Sequence, residues 1–165
     1  MKTLLIVRHA KSSWADPGQT DIERPLNERG KRDAPEMAER LKDQKIKIDL
    51  FVSSPAKRAH KTAKFFAEEF NTDKDDILIV KELYEAPTTA FYNVVTNLKD
   101  KYNTVAIFSH NPGITDFVNT LASLQIDNMP TCAVFAVSIP GNSWSAFKEE
   151  EKNFLFFDYP KKESE

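Results

Sequence analysis

The chain has 165 residues, of which 41% are hydrophobic and 29% charged, with a formal net charge of −2. That length suits one domain burying about 70% of its unfolded surface, and the near-neutral balance argues against a general nucleic-acid binder while leaving room for a local anion pocket. Cys132 stands alone and cannot build a disulfide framework, and no apolar run reaches a membrane span or the core of a signal peptide, so a cytoplasmic protein with no membrane partner is expected.

Residues 3–8, with Leu4-Leu5-Ile6-Val7 at their centre, predict a buried strand that ends on Arg8-His9. The segment 27–43 predicts a helix capped by Asn27, with Pro35 reading as a kink or restart after the first turn. Residues 49–53 predict a second strand. The helix that follows, 56–70, carries Ala59, Ala63, Phe66 and Phe70 on one stripe. Strands at 77–81 and 104–109 flank a helix at 88–99, and a helix over 112–124 places Ile114, Phe117, Val118 and Leu121 on its apolar side. These first four strands are short and bounded by turn signals, as fully buried parallel strands would be. Two last strands, 132–138 and 153–158, are joined through Pro140-Gly141-Asn142-Ser143 and read as a hairpin or edge addition, so at least one edge strand is expected to be antiparallel. The alternation implies an α/β fold of three layers, a mostly parallel central sheet of about six strands with helices on both faces. A single domain over 1–159 and a polar tail over 160–165 are expected.

Three strand ends carry polar groups: Arg8 and His9 after the first, Ser53-Ser54-Pro55 with Arg58 one turn later after the second, and Ser109-His110-Asn111 after the fourth. In an open parallel sheet these clusters share the carboxyl edge, where ligands bind. Two arginines offer rigid donor forks that match phosphate oxygens, and the helix starting near Pro55 aims free backbone N–H groups at the same place. The pocket is shaped for a phosphoryl group. Ser54 either bonds the phosphate or caps the helix behind it, while Asn111, Lys11 and Ser12 are candidates to line the pocket. His60 reads as a structural or solvent-facing histidine, Arg24 and Arg29 as surface charges, and Gly30 as a point of close backbone packing. No His-x-Glu-x-x-His type spacing is present, so no metal or other cofactor is expected.

Arg8-His9-Ala10, Arg24-Pro25-Leu26-Asn27-Glu28-Arg29-Gly30, Ser53-Ser54-Pro55-Ala56-Lys57-Arg58-Ala59 and Ser109-His110-Asn111 together resemble the histidine phosphatase (phosphoglycerate mutase-like) superfamily. The short chain and the Arg8-His9-Ala10-Lys11-Ser12-Ser13-Trp14 opening resemble its SixA-type phosphohistidine phosphatases. The resemblance implies that His9 attacks phosphorus, that Arg8, Arg58 and His110 hold the equatorial oxygens, and that no metal is needed. It also implies a proton donor on the loop after the third strand, Lys81-Glu82-Leu83-Tyr84-Glu85, where Glu82 best fits and Glu85 is the reserve. A phosphorylated protein, with phosphohistidine as the dephosphorylated group, is the expected substrate. A small phosphoester, or phosphate recognition without turnover, is the alternative.

Overall fold

The computed structural model describes residues 1–160. A six-stranded sheet runs in the order β3-β2-β4-β1-β5-β6, with β1 Lys2–Arg8, β2 Leu50–Ser53, β3 Leu78–Ile79, β4 Thr104–Ser109, β5 Val134–Ile139 and β6 Asn153–Asp158. The first four are mutually parallel, while β5 runs antiparallel to β1 and β6 antiparallel to β5. The expected mostly parallel sheet and its antiparallel addition are therefore present. The link between β5 and β6 is longer than a tight turn and contains a one-turn helix, Trp144–Ala146, whose Trp144 is fully buried.

Side-chain alternation divides the core in two. Leu4 and Ile6 of β1 face helices α3 (Thr88–Thr96) and α4 (Gly113–Asn119), through Phe91, Val95, Ile114 and Phe117. Leu5 and Val7 face α1 (Glu28–Asp43) and α2 (Lys57–Glu69), through Met37, Leu41, Ala63 and Phe66. Period-two alternation on a strand places neighbours on opposite faces, which makes three layers from one apolar run.

Two local expectations change. Pro35 neither kinks α1 into two helices nor restarts it, because the helix runs unbroken over Glu28–Asp43. Proline removes one backbone donor, yet Gly30, Ala34, Met37, Ala38 and Leu41 stay buried along one stripe, and that burial holds the helix through the missing bond. The third strand shrinks to Leu78–Ile79 and is an exposed edge rather than a buried strand, with Leu78 at 48% and Ile79 at 40% exposure. The helix over 112–124 likewise stops at Asn119. Of the polar tail, Lys161 to Glu165 lie outside the described residues, and Pro160 is tied down, its carbonyl accepting from Arg40 Nη2 at 3.0 Å.

Candidate active site

Strand register brings the polar clusters together. Arg8 pairs with Ser109 across β1 and β4, and Ser53 pairs with Phe108 across β2 and β4. The next residues are stitched by backbone bonds, His9 N–H to the Ser109 carbonyl at 3.1 Å and Ser54 N–H to the Phe108 carbonyl at 3.0 Å. Because β5 is antiparallel, its start lies on the same edge. The Cys132 N–H bonds the carbonyls of Arg8 and His9, and the preceding Met129 carbonyl accepts from Arg8 Nη1 at 2.8 Å.

A cavity of about 600 Å³ opens at this edge and is lined by Arg8, His9, Arg58 and His110, with Lys11, Ser12, Asn111 and Glu85 also on its wall. The two histidine rings stand 5.2 Å apart between centroids. His9 Nδ1 lies 2.7 Å from the Ala10 carbonyl, which can only accept, so the proton sits on Nδ1 and the lone pair is on Nε2. His110 Nε2 meets the Ser54 hydroxyl at 2.6 Å. Three buried nitrogens, Arg8 Nε, Arg58 Nε and His110 Nδ1, have no hydrogen-bond partner among the described residues. Two guanidinium groups on one cavity wall, beside both histidines, make a cationic cradle suited to an anion.

The electrostatics agree. Burial pushes His9 well below the ordinary histidine range, with His110, Arg8 and Arg58 adding to the effect against the opposing bond to Ala10. Burial first, and Arg58 second, push His110 down to about 3. Both imidazoles are neutral at pH 7, the form in which a ring nitrogen is a nucleophile. Arg8 is itself lowered by burial and by Arg58, as expected where cations share a small space.

Arg58 is held in the cavity by a residue that the sequence did not bring forward. Asp21, in the one-turn helix Asp21–Glu23, accepts from Arg58 through its carbonyl at 2.7 Å and its carboxylate at 3.0 Å. The same carboxylate accepts the Tyr84 hydroxyl at 2.6 Å and Arg24 Nε at 3.2 Å. Arg24 is thus a buried structural cation rather than a surface charge, and its Nη1 also donates to Ser12 at 2.7 Å. A loop without periodicity hides Asp21 in the sequence; its only signal is its i, i+3 spacing to Arg24.

Other expected residues sort clearly. Asn27 caps α1, accepting the Gly30 N–H at 2.9 Å, and Gly30 packs so tightly that a Cβ would lie 2.2 Å from the Lys11 carbonyl. Arg29 pairs with Asp33 on the helix surface, and His60 lies outside the cavity lining. Ser54 is fully buried and off the cavity wall; its hydroxyl accepts from Ala56 N–H at 3.2 Å and meets His110, so it braces a cavity residue. Asn111 lines the cavity, but its amide is committed to Asn128, Met129 and Thr115. Glu82 is the main correction. It sits in the one-turn helix Lys81–Leu83, where Leu83 takes the buried side, and it lines a separate outer depression with Asn93 and Asn97. The chain then reverses at Glu85, with φ at 52°, and Glu85 reaches the cavity wall instead.

The family model of the histidine phosphatase superfamily (branch 1) matches residues 4–91. The chain belongs to the histidine phosphatase superfamily. The match ends before His110, which the sheet register supplies from β4. An uncharacterized chloroplastic protein of Arabidopsis thaliana is 27% identical over 158 residues, covering 87% of this chain and 69% of that protein. Phosphoserine phosphatase 1 of Hydrogenobacter thermophilus is 37% identical over 83 residues, which span 48% of this chain and only 38% of that enzyme. Among solved structures, the protein histidine phosphatase SixA complexed with tungstate superposes with a TM-score of 0.81 at 22% identity, covering 96% of this chain and 97% of that one. The chain thus shares the SixA fold. Among its described residues no helix is long and apolar enough to cross a membrane, and no group of three or more His, Cys, Asp or Glu side chains is placed to hold a metal ion.

Proposed function

We propose that this protein is a phosphatase that works through a phosphohistidine formed on His9 and that its substrate is phosphohistidine on a protein. One observation carries the reading. His9 has its proton fixed on Nδ1 by the Ala10 carbonyl, which leaves the Nε2 lone pair beside the donors of Arg8, Arg58 and His110. The Nε2 pair forms a bond to phosphorus as the bond to the leaving group breaks and its electron pair departs with that group. Arg8, Arg58 and His110 offset the charge on the three equatorial oxygens, which is the main protein contribution to phosphoryl transfer. Water then attacks phosphorus, the pair returns to Nε2, and the water proton passes to phosphate or solvent. The arginines supply the cationic charge locally, so the scheme routes no step through a metal.

An imidazole leaving group protonated on its far nitrogen departs neutral and needs no donor in the site. A serine or sugar alkoxide needs one. Glu85 on the cavity wall supports a second reading, a small phosphoester substrate, in line with the phosphoserine phosphatase relative. Retention of a correctly protonated nucleophile weighs against a module that binds phosphate without turnover.

The test is to trap labelled phosphate on the protein and to compare wild type with His9→Ala. Acid-labile phosphate on His9, and loss of turnover in the variant, are expected. Full activity of His9→Ala toward phosphoramidate would overturn the mechanism.

A further inference from the structure

Trp14 is an unusual side chain for the mouth of a charged cavity. It lines the same wall as His9 and is 74% exposed, whereas the chain's other tryptophan, Trp144, is fully buried. One face of its ring is covered by Arg24, whose guanidinium carbon lies 3.5 Å from the ring centroid. Arg24 is itself fixed by Asp21, Ser12 and the Ser13 carbonyl. The ring therefore rests on an immobile support with its opposite face open. Tyr84 is the other non-histidine aromatic of the lining, and it is occupied: its hydroxyl donates to Asp21 and its ring meets His110 edge-on.

We propose that Trp14 is a specificity-determining residue that stacks on the planar ring of the leaving group, and so selects phosphohistidine over phosphate carried on a flexible aliphatic group. The inference rests on the phosphatase reading above and deepens it. With phosphate held by Arg8, Arg58 and His110, the leaving group must point outward toward the mouth, where Trp14 stands. A flat heteroaromatic ring buries its face on an indole at little entropic cost, while a serine side chain offers no such face. Two carboxylates of the same lining, Glu85 and Asp116, provide acceptors for the proton on the far ring nitrogen.

The experiment measures kcat/KM for a phosphohistidine peptide and for phosphoramidate, which shares the N–P bond but has no ring, in wild type, Trp14→Phe and Trp14→Ala. The ratio of the two values is expected to fall about tenfold in Trp14→Ala and to stay within about threefold in Trp14→Phe. A ratio unchanged in Trp14→Ala overturns the role of Trp14 while leaving the phosphatase reading intact. Wild type that hydrolyses neither substrate overturns both. Fluorescence gives a second readout that chemistry does not touch: in His9→Ala, the solvent-exposed indole emission should be quenched by the phosphohistidine peptide and not by inorganic phosphate. Equal responses to the two would also count against stacking.

Discussion

The Tyr84 hydroxyl donates to Oδ2 of Asp21 at 2.6 Å, and that oxygen also receives Arg58 Nη2 at 3.0 Å. One carboxylate thereby couples the loop after β3 to the first turn of α2. Arg58 has a long side chain with many rotamers, and anchoring its tip on Asp21 holds the guanidinium at the cavity wall. Preorganisation of this kind stabilises charge developing in a transition state without reorganisation at the moment of reaction.

Asp21→Asn is therefore expected to raise KM for phosphoramidate by about tenfold, as charge-assisted bonds to Arg58 and Arg24 weaken. The pH dependence has a defined sign. The bonds from Tyr84 and Arg58, working against partial burial, hold the Asp21 carboxyl at about 2, below its ordinary value. A depressed carboxylate contributes stability above its unfolded value, and that contribution is lost as pH falls toward about 2. Tyr84, raised to about 12 by its bond to Asp21, is the mirror case, losing its contribution as pH climbs past its ordinary 10. Thermal melts from pH 5 downward should show the wild-type advantage over Asp21→Asn shrinking. An advantage that persists undiminished at pH 2 would sink this account.

The histidine pair makes a spectroscopic prediction. Both folded-state values lie below the ordinary 6.5 because burial disfavours the cation. Folding stability contributed by neutral His110 is full above 6.5 and drains as pH falls toward about 3, since only the unfolded chain binds the proton in that window. Imidazole NMR shifts should stay those of neutral rings down to pH 5. Tungstate or phosphate in the cradle adds negative charge beside His110 and should raise its titration midpoint. A midpoint that is near 6.5 in the free protein, or that does not move with the anion, contradicts the geometry.

Gly30→Ala tests how the loop after His9 is held. A Cβ at this position would lie 2.2 Å from the Lys11 carbonyl, a backbone atom that cannot swing away. The loop is further fixed by the bridge between Ser12 and Leu26 and by the Asn27 N–H bond to Lys11 at 3.0 Å. A loss of about 1–3 kcal/mol is expected from overpacking, measured by urea unfolding. A variant as stable as wild type would mean the loop can shift freely.

Sequence periodicity made the sheet edge legible, because β1 and β4 carry apolar runs at their centres and each strand is followed directly by a histidine. The strand ends alone put His9, His110, Arg8 and Arg58 on one edge, and the four residues line one cavity. Pattern carries less information where tertiary contacts decide. The two-residue β3 exists only by pairing with Val52 and Ser53, so its length and its exposure were invisible. Pro35 looked like a breaker because propensity reads one residue at a time, while the buried stripe of α1 acts on sixteen. Glu82 and Glu85 are equivalent as letters, and only the inward turn of Leu83 and the reversal at Glu85 separate them.

That separation gives the sharpest chemical prediction. Of the two glutamates on the loop after β3, Glu85 lines the cavity and Glu82 an outer depression, so Glu85 rather than Glu82 is expected to donate a proton to a leaving oxygen. Glu82→Gln should be silent, within about twofold of wild type on every substrate, as surface substitutions usually are. Glu85→Gln should lower kcat for a phosphoester by about a hundredfold, the scale of lost general acid catalysis, while phosphohistidine and phosphoramidate, which carry their own leaving proton, lose little. The contrast between substrates matters more than either rate. Equal losses on esters and N–P substrates would make Glu85 a binding or structural residue. A large loss in Glu82→Gln alone would mean the loop after β3 rearranges when substrate binds, bringing the outer carboxylate inward.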